Sequence, residues 1–326
     1  MAPAPEDPAQ RERPPTGLVY HPDYLKHAMP AWHPEQPARL TAVLDHLKEI
    51  GLLPQLAHIR PEPADTKWVA EVHTADYITQ VEETCDRGGG LLDDGDTPVC
   101  RASYDVALLA AGGALAACDA VLAGQVRNAF CLVRPPGHHA RPTAGMGFCV
   151  FNNIAIAARY LQKRHGLRRI LIVDWDVHHG NGTQEAFYED ATVLVLGIHR
   201  YPFYPGTGAP DEFGRGAGRG YTINLPVPEG TTAAAFVEVL RHALGLTVEY
   251  FQPDFILISA GFDAHRDDPL GGMGLDDRDY ASLARIVRDV AERECQGRLV
   301  ATLEGGYGLD ALGRSIAGLL RVFMEP

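Results

Sequence analysis

The sequence contains no C-x-x-C pair. Its six cysteines, at 85, 100, 118, 131, 149 and 295, stand singly. That spacing excludes a paired-cysteine motif and reads as reduced, structural cysteine in a cytosolic protein. Basic residues are also scarce: 29 Lys and Arg stand against 42 Asp and Glu, for a net charge of -13. Direct nucleic-acid binding needs Lys and Arg to neutralise phosphates and is not expected. The same acidic field mildly attracts cationic substrates such as polyamines or Lys-rich peptides. The N-terminus lacks a basic-then-apolar run, so no signal peptide is expected and the reading is cytoplasmic. The longest apolar stretch, Val106 to Leu122, is broken by Gly112, Gly113 and Asp119. It reads as a buried helix rather than a membrane span. Linkers and internal repeats are missing too. A Pro-rich, charged tail over residues 1–16, expected to be disordered, precedes one domain over 17–326.

What is present alternates. Five short runs are apolar on both faces: Ala129–Val133, Ile170–Val173, Val193–Leu196, Phe255–Ser259 and Leu299–Leu303. Such runs are the mark of parallel strands covered by helices on each side. Helical patterns lie between them, over Tyr104–Ala123, Ile154–His165, Ala233–Tyr250, Asp277–Glu294 and Leu309–Met324. The segment from Thr231 follows a glycine and opens on threonines, a helix start. The predicted fold class is α/β, with a single open, mostly parallel sheet flanked by helices on both faces.

Each apolar run leads into a polar segment. The first reaches Arg134-Pro135-Pro136-Gly137-His138-His139, and the second Asp174-Trp175-Asp176-Val177-His178-His179-Gly180-Asn181. The third reaches His199, the fourth Asp263-Ala264-His265, and the fifth Glu304-Gly305-Gly306-Tyr307-Gly308. Ligands of open α/β sheets bind outside the carboxyl ends of the strands. One such tail means little; five at a common edge predict one shared site. Alternation along an extended strand end would put Asp174, Asp176 and His178 on one face. Asp176 and His178, with Asp263 from a neighbouring strand, make an oxygen and nitrogen donor set suited to Zn²⁺ with an open position. An isolated D-x-H is as readily a turn-capping acid beside a surface histidine; convergence with Asp263 and His138-His139 outweighs that. Beside such a metal, either His138 or His139 could serve as general acid and base, since imidazole titrates near neutrality. Tyr307, between glycines, is placed to hydrogen-bond a polarised carbonyl.

Other features read as bland. Gly214–Gly220 (GRGAGRG) does not fit a phosphate-binding loop and precedes no helix. Asp93, Asp94 and Asp96 are expected in a solvated loop. His21, His27 and His33 are read as structural or surface, and His199 and His265 as supporting groups or local turn formers.

RPPGHH, VDWDVHHGNGTQ, GFDAHRDDPLGG and LEGGYG, with HPEQPARL at 33–40, resemble the signature segments of the histone deacetylase family and its bacterial relatives. The likeness runs from about Leu18 to Leu320, and Asn181 makes it class II-like. It implies an arginase/deacetylase-like three-layer fold and a metal-dependent hydrolase that removes acetyl or short acyl groups from an acylated amine. It implies one Zn²⁺ on Asp176, His178 and Asp263. It makes His139 the general base and acid, His138 its electrostatic partner, Asp174 the group orienting His138, Asn181 the group behind His139, and Tyr307 the carbonyl-polarising residue. Gly147, Phe148, Tyr204 and Leu270 would line the substrate channel. A K⁺ site is implied at Asp174, Asp176, His178 and Ile198, where Gly197 replaces a serine ligand found in many members. A second is implied near Phe187, Asp190, Val193 and Tyr221.

The implied partner is an acylated lysine, with no nucleic acid or membrane; a homo-oligomer is left open. Acetylpolyamine hydrolysis is the nearest alternative; the neutral Leu270, at a position linked to acidic gatekeepers in polyamine enzymes, argues for acyl-lysine. An arginase-like two-metal site would need an acid at His265. A catalytically inactive binding protein is disfavoured because every expected catalytic residue is present.

Overall fold

In a computed structural model of the chain, residues 14–92 and 95–326 are described. Along the chain run β1 (Thr16–Val19), α1 (Ala38–Glu49), β2 (Ala57–Ile59), α2 (Thr66–Val69), α3 (Ala75–Asp86), β3 (Gly89–Leu91), β4 (Pro98–Cys100), α4 (Ser103–Leu122), β5 (Asn128–Cys131), α5 (Asn153–His165), β6 (Ile170–Asp174), α6 (Asn181–Phe187), β7 (Val193–Arg200), β8 (Thr222–Val227), α7 (Ala233–Phe251), β9 (Phe255–Ala260), α8 (Asp277–Cys295), β10 (Leu299–Leu303) and α9 (Leu309–Met324). Eight strands form one sheet in the order β2-β1-β5-β10-β9-β6-β7-β8, and every neighbouring pair is parallel. β3 and β4 make a separate antiparallel pair.

The predicted α/β class and open parallel sheet hold. All five apolar runs are strands, and every residue of β6, β9 and β10 is buried. Helices cover both faces: α4 and α5 pack on one, and α7, α8 and α9 on the other, with α1 against α9. α7 starts where the threonines suggested, with the Thr232 side chain accepting from the Ala235 N–H. α8 opens on a reciprocal capping box between Asp276 and Asp279.

Three sheet strands escaped the sequence reading, and all lie toward the edges. β1 and β2 have only four and three residues. β8 is half-buried and carries Pro226, which an edge strand tolerates because no second neighbour needs its N–H. Thr16, placed in the tail by the sequence reading, is buried and opens β1, while residues 1–13 lie outside the described residues. The long apolar segment is α4, a core helix mostly buried in the fold. Its glycines have a packing reason. A Cβ on Gly112 would strike the Glu62 carbonyl oxygen and lie 2.7 Å from the Ala64 nitrogen, where the chain crosses the helix. All six cysteines are free thiols.

The N-terminal segment is tied to the centre by a buried ion network. Arg134 grips Glu35 with two bonds, of 2.5 and 2.7 Å, and Arg39 reaches the same carboxylate at 3.2 Å. These side chains are wholly buried. Arg39 also donates to the Gly306 carbonyl at 2.7 Å and the Glu304 carbonyl at 2.5 Å, and Arg134 to those of Tyr24 and His27. Burial alone would raise the Glu35 pKa; the Arg134 charge and hydrogen bonds hold it down at about 2. Its contribution to stability is therefore complete above the unfolded value of 4.5 and is lost as pH falls toward about 2. Glu35→Ala leaves two arginines buried without their counter-charge. The expected loss is about 3–5 kcal/mol in urea unfolding at neutral pH.

Candidate active site

The four central strands, β5, β10, β9 and β6, lie side by side, and their carboxyl ends carry the four polar segments. β5 leads to His138 and His139, β10 to Tyr307, β9 to Asp263, and β6 to Asp174, Asp176 and His178. One donor atom each from Asp176, His178 and Asp263 lies within 4.8 Å of the others. His178 Nδ1 is 3.1 Å from Asp176 Oδ1 and 3.2 Å from Asp263 Oδ2.

The route to this convergence differs from the expected alternation. β6 ends at Asp174, and residues 176–178 are bent rather than extended. Successive side chains curl the chain over the strand end instead. Asp174 Oδ1 accepts from the Asp176 N–H at 3.0 Å, and Asp176 Oδ1 from the His178 N–H at 2.9 Å. These are Asx turns, in which a short acid bonds the backbone two residues on. The remaining oxygens are also engaged: Asp263 Oδ1 accepts from the Val177 N–H at 2.9 Å, and Asp176 Oδ2 from the Gly305 N–H at 2.8 Å.

Two dyads flank this cluster. His138 Nδ1 pairs with Asp174 Oδ2 at 3.0 Å, and His139 Nδ1 with Asn181 Oδ1 at 2.8 Å. Asn181 Nδ2 points to the Met146 sulfur, so its Oδ1 faces His139, which donates from Nδ1 and keeps Nε2 as its basic atom. Burial pulls the His138 pKa down, but the charges of Asp176 and Asp174 carry it up to about 10. His139 moves the other way, well below its ordinary value, through burial and the charge of His138. Neighbouring imidazoles with opposed shifts are an acid–base arrangement. Burial and the Asp176 charge push Asp263 up to about 7; Asp176 itself is held low by His138 and His178 against its own burial.

Aromatic rings wall the approach. Tyr204 meets His139 edge-on at 5.2 Å, Phe203 stacks on His178 at 5.2 Å, and Phe148 meets Tyr307 edge-on at 5.8 Å. Tyr204 is 37% exposed and forms the rim. Gly147 and Phe148 both have positive φ, at 57° and 70°. A Cβ on Gly147 would enter the His139 ring, so only glycine lets that loop pass. Arg39 lies 4.9 Å over the Tyr307 ring. Burial raises the Tyr307 pKa well above its usual value, which keeps the phenol protonated. Its backbone N–H, with that of Gly308, is fixed by Asp268 Oδ2. Leu270, half-buried, donates its N–H to the same carboxylate.

One expectation about the acidic loop needs correction, and the remaining histidines take the supporting places expected of them. Asp96 is not simply solvated: it is half-buried and accepts from the Gly147 N–H at 2.9 Å. Asp93 and Asp94 lie outside the described residues. His33 and His27 are structural: His33 packs edge-on against Phe148 at 4.6 Å, and His27 bonds Ser103 at 2.7 Å. His265 is turned away, bonding Asp277 at 3.1 Å. His199 bonds the Gly208 carbonyl at 2.9 Å, and its buried Nδ1 has no hydrogen-bond partner among the described residues. A Cβ on Gly197 would lie 3.7 Å from that nitrogen and 4.0 Å from the Asp174 carbonyl oxygen, so this chain has room where a serine would sit. Reasoning from sequence missed Glu35, Arg39 and Arg134 as a unit. Its only signal was two basic residues and one acid inside otherwise apolar or proline-rich segments.

The donor set fits a zinc ion: two carboxylates and one imidazole in a buried pocket. A proton competes with the metal for His178 Nδ1. Burial lowers that pKa, but hydrogen bonds to Asp176 and Asp263 carry it up to about 10. Apparent zinc affinity should therefore climb as pH rises toward about 10, as read by chelator competition. Gly305 backs the cluster. A Cβ there would collide with Asp263 Oδ2 and lie 2.7 Å from Asp176 Oδ2. Gly305→Ala is expected to weaken zinc binding by about 10- to 100-fold while the circular dichroism spectrum stays native.

Comparison with known proteins agrees with this geometry. The histone deacetylase domain pattern matches residues 33–323. A protein named probable deacetylase in Archaeoglobus fulgidus is 46% identical over 297 residues, covering 90% of this chain and 82% of that protein. The polyamine deacetylase HDAC10 of Homo sapiens is 41% identical over 317 residues, covering 92% of this chain and 47% of its own length. The crystal structure of the HDA15 HD domain superimposes with a TM-score of 0.90 at 36% identity, over 95% of this chain and 89% of that one. The strand-end acids, the paired histidines and the Gly-Gly-Tyr loop are thus those of a chain that belongs to the histone deacetylase family.

Proposed function

We propose that the protein is a zinc-dependent amidohydrolase that removes acetyl or another short acyl group from an acylated amine, with acyl-lysine as its main substrate class. The observation that carries this reading is the convergence of Asp176, His178 and Asp263 beside two differently tuned histidines. When bound, zinc supplies Lewis-acid polarisation of the amide carbonyl and acidifies water. The remaining work falls to side chains. His139, neutral and oriented by Asn181, takes a proton at Nε2 from the water that attacks the carbonyl carbon. Tyr307 gives a hydrogen bond from its phenol O–H to the oxyanion that develops, and keeps its proton. His138, kept protonated by Asp174 and Asp176, stabilises the added negative charge. His139 then returns its proton to the amine nitrogen as the C–N bond breaks. The products are a carboxylic acid and a free amine, with no acyl-enzyme.

Phe148, edge-on to Tyr307, and Tyr204, edge-on to His139, would give the approach apolar walls suited to an extended alkyl chain. Leu270 adds no charge at the mouth, which supports acyl-lysine. The second reading, an acetylpolyamine substrate, is favoured by the net charge of -13 and by similarity to a polyamine deacetylase. A K⁺ ion is proposed at the Asp174, Asp176, His178 and Ile198 carbonyls and the Asp174 side chain, with Gly197 contributing no side-chain ligand. The Phe187, Asp190, Val193 and Tyr221 carbonyls form a second candidate; that of Tyr221 already accepts from Val195 at 2.9 Å.

Tyr307→Phe is expected to lower kcat by about 10²-fold, the scale of losing one oxyanion donor; near-normal turnover would remove Tyr307 from this role. Side-by-side kcat/KM values for acetyl-lysine peptides and acetylspermidine, with a chelator control, test the substrate class. A clear preference for acetylspermidine would replace acyl-lysine with polyamine.

A further inference from the structure

Glu304 follows β10, and its side chain is wholly buried against the turn that carries the paired histidines. Its Oε2 accepts from the Gly137 N–H at 2.7 Å and the His138 N–H at 3.1 Å. Its Oε1 accepts from the Ser259 hydroxyl at 3.1 Å. One carboxylate thus joins β10, β9 and the turn that carries His138 and His139. Nothing in the acid–base chemistry proposed above uses it. Burying a carboxylate is costly unless donors surround it, and here the donors are two consecutive backbone N–H groups of the catalytic turn and a strand serine.

Elsewhere the turn is held through its carbonyls: that of Pro135 accepts from Asn153 Nδ2 at 3.1 Å, and that of Gly137 from the Ala140 N–H at 2.9 Å. It begins at Arg134, held by Glu35, and the His138 carbonyl accepts from the Thr183 N–H at 3.1 Å. A Cβ on Gly137 would lie 2.5 Å from the Asn153 nitrogen, so the backbone is pressed against the start of α5. Between these points, among the described residues, Glu304 alone meets the Gly137 and His138 N–H groups. We propose that Glu304 is a positioning residue: its carboxyl oxygen is the stop that sets how far the His138-His139 turn advances toward the substrate carbonyl. It acts by reach rather than by charge. A displacement near 1 Å of a catalytic group is enough to cost about 10²-fold in rate.

This inference rests on the function proposed above, and the test separates the two. Glu304→Gln keeps the length and one oxygen for both N–H groups, while its amide can donate to Ser259. Glu304→Asp keeps the charge but withdraws the oxygen by one methylene. With an acetyl-lysine substrate, Glu304→Gln should keep kcat within about threefold of wild type. Glu304→Asp should lose at least tenfold in kcat with KM within about twofold and zinc content unchanged. Equal loss in both variants, a larger loss in Gln than in Asp, or wild-type kcat in Asp would each overturn the proposal. Histidine ¹⁵N NMR of the zinc-loaded proteins gives a readout without turnover. The His138 and His139 resonances should move in the Asp variant and stay near wild type in the Gln variant; unmoved resonances in Asp overturn the clamp. If the wild-type protein hydrolyses no acylated amine, the functional reading fails, while the NMR comparison still decides the role of Glu304.

Discussion

Asp176 and Asp263 are both wholly buried, and two carboxylates do not share a dry pocket unless positive charge lies close to them. Much of the site answers that constraint. His178 places one nitrogen within hydrogen-bond distance of both acids. The backbone N–H groups of Val177, His178 and Gly305 take up the other lone pairs. His138 is drawn toward its charged form by the same acids, while burial and then that charge lower the His139 pKa. The unlike histidines are thus a joint consequence of burial and the acids. A divalent cation with oxygen and nitrogen preference is the natural partner of this arrangement.

The sheet delivers these groups, and much of it was legible in the sequence. β6, β9 and β10 are apolar on both faces because helices cover both faces, and such runs are hard to mistake. The edge strands were not legible for the converse reason. β8 faces solvent in part and carries Pro226, so it has neither continuous apolarity nor clean alternation. The site residues were readable because the polar segments all follow strands of one parallel sheet. Their local path was not. Periodicity says where a strand points, but Asx turns depend on one carboxylate reaching one N–H, and Asp174 and Asp176 do this twice in succession. The Glu35–Arg134–Arg39 network was hidden further, since its members lie up to 99 residues apart and meet only in the folded chain.

Membership of the histone deacetylase family and the geometry of the site meet at the level of chemistry. Neither extends to the substrate, which the proposed reading places against the residues of the rim. Tyr204, Phe148 and Leu270 belong to loops, whereas Asp174 ends β6, and Asp176, His178 and Asp263 follow closely on the ends of β6 and β9. Loops carry variation that a sheet edge cannot absorb.

The glycines around the pocket draw that division sharply. Gly147, Gly261 and Gly305 each run their backbone against a reactive side chain: His139, Asp176 and Asp263 respectively. The pocket wall at these points is peptide group rather than side chain. A wall of that kind cannot be reshaped by exchanging one amino acid for another. Diversification must then proceed from outside inward, with lip residues exchanged freely and the floor inherited as a unit. A lineage built on this scaffold would change what it recognises long before it changed what it does.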